Sequence, residues 1–84
     1  ILNTMRSGER LDAAVKWFRD RKVELWAVNR NPEQEEWTSS PKVYADLYID
    51  DSALGCPIMF IDGLRKPVVK WSKVRTLLEN DGIL

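Results

Sequence analysis

Histidine does not occur in this sequence, and cysteine occurs once, as Cys56. The first absence removes the commonest general base and the commonest zinc ligand, and with them every His-dependent triad. The second excludes an internal disulfide and any zinc-finger spacing. A lone thiol with no His to activate it reads as a small buried hydrophobe before a nucleophile or a redox centre. It also points to a reducing, cytoplasmic compartment. Net charge is missing too, because thirteen basic and thirteen acidic residues cancel. That leaves no electrostatic footprint for nucleic acid or an anionic membrane surface. No apolar run approaches the length of a membrane span, and there are no internal repeats. Any catalysis must rest on carboxylates, Lys, Thr or Ser.

What is present is a chain of 84 residues, 44% hydrophobic and 31% charged, which makes one small domain at most. Its organising stretch is Val43-Tyr44-Ala45-Asp46-Leu47-Tyr48-Ile49-Asp50-Asp51. As a strand, it puts Ala45, Leu47 and Ile49 on one face and Asp46, Tyr48 and Asp50 on the other. Asp50 and Asp51 then close it beside the turn residues Ser52 and Gly55. In an open α/β sheet ligands bind beyond the carboxyl ends of the strands, and adjacent acids there suit a hard cation such as Mg2+. The plainer reading is a solvated acidic turn.

Ile1 to Thr4 reads as the end of a buried strand, and the expectation is that further sequence of the same domain precedes it. Met5 to Glu9 follows as a loop, with Ser7 as helix N-cap and Glu9 in the first turn. Leu11, Ala14, Val15 and Phe18 recur at helical spacing, so a helix is expected over 9–21. Lys22 stands where a glycine would be comfortable after its end. Val23 to Val28 is the next strand, apolar from Leu25 onward, and completes a parallel βαβ unit. Asn29 to Pro41 is a polar loop in which Trp37 covers a satellite core.

Beyond Gly55, Cys56 to Ile61 and Leu64 to Val69 flank Asp62-Gly63. This is a hairpin signal in which both turn residues need positive φ, with Pro67 marking the return arm as an edge. Ser72 is expected to cap a last helix that buries Val74, Leu77 and Leu78 and ends before Gly82. Trp71 is expected to pin that helix to the sheet.

Three strand ends thus carry polar groups: Thr4 with Arg6 and Ser7, Lys42 before the organising strand, and Asp50-Asp51 at its end. A hydroxyl, an ammonium and paired carboxylates are what a phosphoryl group and its cation require, and they are expected to converge.

In order and spacing these segments resemble the haloacid dehalogenase-like hydrolases, in particular small bacterial and phage phosphatase-like members. The resemblance rests on Leu2-Asn3-Thr4-Met5-Arg6-Ser7-Gly8, Ser40-Pro41-Lys42-Val43-Tyr44-Ala45 and Tyr48-Ile49-Asp50-Asp51, with Ala27-Val28-Asn29 between. It is clear from Ile1 to about Gly55. It implies a Rossmann-like three-layer sandwich with a parallel sheet, plus the hairpin and C-terminal helix. It also implies a Mg2+-dependent phosphohydrolase acting on a small phosphorylated substrate. Thr4 would bind the transferred phosphoryl group and Lys42 would offset its charge. Asp50 and Asp51 would anchor Mg2+, and Arg6 and Asn29 would contact phosphate or substrate. The family's first motif, Asp-x-Asp on a central strand, is not in this sequence. The expectation is therefore a sheet lacking its nucleophile-bearing strand, completed by an upstream segment or a second copy, and a chain that is inactive by itself. The competing reading is a noncatalytic α/β interaction module whose exposed sheet edge takes a partner strand.

Overall fold

The structure, a computed structural model, describes all residues Ile1–Leu84. They form two compact units, Ile1–Asp46 and Leu47–Leu84.

The first unit is built on helix α1, Gly8–Asp20. The expected stripe is the side that turns inward: Leu11, Ala14, Val15 and Phe18 are half-buried while the intervening positions are exposed. Ser7 occupies the N-cap position in extended backbone, but its side chain makes no capping bond. The other end is closed more firmly. The Lys22 amide donates to the Arg19 carbonyl at 3.0 Å and the Val23 amide to the Phe18 carbonyl at 3.0 Å. This is the Schellman pattern, and it requires a left-handed residue between. Lys22 fills that position with φ 58°. Arg21 adds a second closure, donating from Nη1 to the Trp17 carbonyl at 3.1 Å with its guanidinium 3.8 Å over the Trp17 ring. A cation suits the negative end of the helix dipole.

The chain then returns beside its own beginning. The Leu2 amide donates to the Ala27 carbonyl at 3.1 Å and the Asn29 amide to the Leu2 carbonyl at 2.8 Å, forming a parallel bridge between Leu2 and Val28. The predicted parallel direction is present, but the predicted strands are not. Asn29 adopts φ 56°, which turns the main chain out of extended geometry and ends the ladder after one bridge. A 3-10 turn, Gln34–Glu36, follows. Trp37 packs edge-on against Tyr44 at 5.5 Å and remains 63% exposed, so it covers little.

The organising strand expected over Val43–Asp51 does not form. Its main chain is spent locally: the Tyr44 amide donates to Gln34 Oε1 at 2.7 Å, and the Tyr44 carbonyl accepts from Asn31 Nδ2 at 3.0 Å. Alternation survives only at its start, where Val43 and Ala45 are half-buried and Tyr44 and Asp46 exposed. The unit boundary falls within it, after Asp46, and Leu47 and Ile49 are exposed.

The second unit contains a hairpin and a helix. Strands β1, Ile58–Met59, and β2, Val68–Val69, pair antiparallel with Ile58 opposite Val69 and Met59 opposite Val68. The Asp62-Gly63 turn is closed by the Leu64 amide to the Ile61 carbonyl at 3.1 Å. Gly63 has φ 89° and Asp62 is not in the positive region. This is the type II pattern rather than the doubly left-handed turn of a tight hairpin, so pairing stops well short of it and 60–67 is a broad loop. The ladder runs on by one bond at its other end, from the Lys70 amide to the Pro57 carbonyl at 2.9 Å, and passes straight into helix α2, Trp71–Asn80.

That direct passage explains two departures. Helix α2 starts before Ser72 and takes Lys70 as its N-cap. Ser72 is left inside the first turn, where its carbonyl accepts from Thr76 Oγ1 at 3.1 Å. Trp71, the first helical residue, is 63% exposed and pins nothing. Val74 is the buried apolar residue of the helix. Leu78 is half-buried, whereas Leu77 is exposed. The helix ends in a second Schellman motif, with the Gly82 amide to the Glu79 carbonyl at 3.1 Å and the Ile83 amide to the Leu78 carbonyl at 2.9 Å. Gly82 supplies the left-handed residue at φ 75°.

The Rossmann-like sandwich expected from the sequence is therefore overturned. In its place stand two helices, a two-stranded antiparallel hairpin and one isolated parallel bridge. A layered α/β core needs strands buried on both faces, and here Val74 is the one apolar residue that is buried.

Candidate functional site

In the first unit, the parallel bridge leaves Thr4 and Asn29 just beyond the two segments it joins. Asn29 Oδ1 accepts the Thr4 amide at 2.7 Å. The side chain thus continues the ladder at the point where the left-handed turn has withdrawn the main chain. The half-buried Thr4 accepts the Arg6 amide on Oγ1 at 3.1 Å. An accepted bond on that oxygen leaves the hydroxyl proton available to donate. From Thr4 the loop leads through Ser7 to the first turn of α1, whose outward N–H groups favour an anion. Arg6 follows a different course: its Nη1 donates to the Arg10 carbonyl at 3.5 Å, along the helix.

Lys42 is exposed, but its main chain is held on both sides. Its amide donates to Ser40 Oγ at 3.2 Å, and its carbonyl accepts from Gln34 Nε2 at 2.8 Å. The same Nε2 donates to the Ser40 carbonyl at 3.2 Å. Beside these residues lies an open depression of about 270 Å3, lined by Asn29, Arg30, Thr38, Ser40 and Val43 among others. Asn29 therefore faces both Thr4 and this depression.

Gln34 escaped the sequence reading. It is 6% exposed, the one buried polar residue of the chain. A glutamine in a loop of Asn, Pro, Glu and Ser looks like any solvated residue, and no spacing marks it. The one cue was the preceding Asn31-Pro32, which favours a turn and so brings later residues back over the loop.

Asp50 and Asp51 belong to the second unit and both are exposed. Asp50 is organised as a turn: its Oδ1 accepts the Ser52 amide at 2.8 Å and its carbonyl the Ala53 amide at 3.0 Å. The adjacent carboxylates supply hard oxygen donors of the kind Mg2+ takes alongside water, so the donor chemistry fits that ion. No group of three or more His, Cys, Asp or Glu side chains forms a metal cluster. Cys56 is half-buried, and its Sγ donates to the Pro57 carbonyl at 3.8 Å. No helix is long and apolar enough to cross a membrane.

No family model, curated protein or solved structure matches this chain.

Proposed function

We propose that this chain carries the phosphate-binding and Mg2+-binding residues of a phosphohydrolase acting on a small phosphorylated substrate in the cytoplasm. The observation that carries the reading is the Thr4–Asn29 bond of 2.7 Å. It fixes the main chain that carries the Thr4 hydroxyl, at the end of a paired segment and in the loop that leads to helix α1; hydroxyls and helix N-terminal N–H groups serve phosphate oxygens. Thr4 donates to a phosphate oxygen, and the Lys42 ammonium offsets its charge. Asp50 and Asp51, in the second unit, would hold Mg2+. With no Asp-x-Asp in the sequence, the chain binds a phosphate ester without turning it over.

Calorimetric titration of inorganic phosphate and of Mg2+ into the chain tests this. Thr4→Val and Lys42→Ala are expected to weaken phosphate binding, and Asp51→Asn to remove Mg2+ binding. A parent chain that binds neither ligand defeats the proposal.

The hairpin favours a second reading, a noncatalytic interaction module. Ile58, Met59, Phe60 and Ile61 are each at least 40% exposed, and a two-stranded ribbon has two open edges able to take another strand. Failure to bind either ligand would favour it.

A further inference from the structure

We infer that Gln34 is the positioning residue for Lys42, setting the course of the main chain that carries the ammonium. The inference rests on the phosphate-binding reading of Lys42. Gln34 Nε2 donates to the carbonyls of Lys42 at 2.8 Å and Ser40 at 3.2 Å, while its Oε1 accepts the Tyr44 amide at 2.7 Å. Both amide protons and the amide oxygen are thus used, on three main-chain groups that bracket Lys42. Asn31 secures the far side, donating from Nδ2 to the Tyr44 carbonyl at 3.0 Å. Gln34 is itself fixed, because its carbonyl accepts the amides of Trp37 at 3.0 Å and Thr38 at 2.9 Å. With 6% of its surface exposed, these bonds are shielded from competing water. A flexible lysine gains directed contact with an anion only when its anchor is held.

The chemistry distinguishes glutamine from its near relatives. A carboxylate of the same shape still accepts from Tyr44 but cannot donate to either carbonyl. It regains one donor when protonated.

The test uses the whole chain, inorganic phosphate as the probe, and NMR of 13C- and 15N-labelled lysine side chains beside calorimetry. The parent is expected to bind phosphate with a shift of the Lys42 side-chain signal. Gln34→Glu at pH 7.5 is expected to bind about tenfold more weakly, the size of one charge-assisted hydrogen bond, with the Lys42 shift lost. The parent-to-variant affinity ratio cancels phosphate's own titration, and it should fall towards one as pH is lowered and the introduced carboxyl protonates. In a Lys42→Ala background, Gln34→Glu should cost nothing further.

If Lys42→Ala weakens phosphate binding but Gln34→Glu does not, positioning by Gln34 is overturned and the phosphate reading stands. If Lys42→Ala leaves phosphate affinity unchanged, the phosphate reading fails and takes the inference with it. Should the variant not fold, the parent decides: the Gln34 side-chain amide protons must shift together with Lys42 on adding phosphate. Their standing still while Lys42 moves overturns the inference.

Discussion

The Thr4 amide is bound by the side chain of Asn29, not by the main chain of the neighbouring segment. Asn29 can do this because it has turned into the left-handed region, which asparagine enters more readily than most residues. Two separable contributions meet at one position. Asn29→Gly keeps the backbone but loses the acceptor, at a cost of about 1 kcal/mol. Asn29→Ala loses the acceptor and adds left-handed strain, for about 2 kcal/mol together. Asn29→Asp keeps an acceptor and should lie close to the parent. Urea unfolding of the three variants orders them, and the Thr4 amide proton should move upfield in Gly and Ala but not in Asp.

The two helices end in the same hydrogen-bonded motif with different residues in its left-handed position, Lys22 at φ 58° and Gly82 at φ 75°. Nothing lies within 4 Å of a Cβ added at Gly82, so any cost of Gly82→Ala is conformational rather than steric crowding. Lys22→Gly should stabilise the chain and Gly82→Ala destabilise it, each by about 1 kcal/mol. Thermal unfolding reads both. Equal signs for the two substitutions would contradict the shared motif.

The periods and ends of the helices and the direction of chain pairing proved legible in the sequence; side-chain caps and the extent of the strands did not. The helical stripe of Leu11, Ala14, Val15 and Phe18 states its own period, and Lys22 and Gly82 mark helix ends by their place after it. The hairpin was found from Asp62-Gly63, although its turn is of another type. The organising strand failed as a prediction because alternation reports only which side chains share a face. Val43 to Ile49 alternates and still forms no strand, since Gln34 and Asn31 take the main-chain groups of Lys42 and Tyr44. Those side chains are ten and thirteen residues away from Tyr44, and no periodicity announces them. Within the candidate site, Thr4 and Asn29 were anticipated separately. Their contact and the part played by Gln34 were not.

Both ion pairs of the chain place the base one turn before the acid: Lys16 with Asp20 at 2.6 Å and Arg75 with Glu79 at 2.8 Å. That order sets the carboxylate towards the negative end of each helix dipole. All four side chains are at least half exposed, where solvent screens the attraction. Lys16→Ala and Arg75→Ala should each cost no more than about 0.5 kcal/mol. Raising salt to 1 M should erase the difference from the parent in denaturant titrations.

The four tryptophans offer the most direct check on the architecture. Trp17 is 50% exposed, Trp26 56%, and Trp37 and Trp71 63% each. In a sheet covered on both faces, Trp26 would sit within a buried strand, and Trp71 would lie between helix and sheet. Here each tryptophan residue is at least half exposed, Trp17 beneath Arg21 and Trp37 against Tyr44. The native chain should therefore fluoresce at the red end of the tryptophan range, shift little on unfolding, and be quenched by acrylamide in a single accessible population. Single Trp→Phe variants would assign any exception. A blue-shifted, quencher-protected Trp26 would restore the buried strand that the structure denies, because an indole shielded on both faces requires covering layers that a lone Leu2–Val28 bridge does not supply.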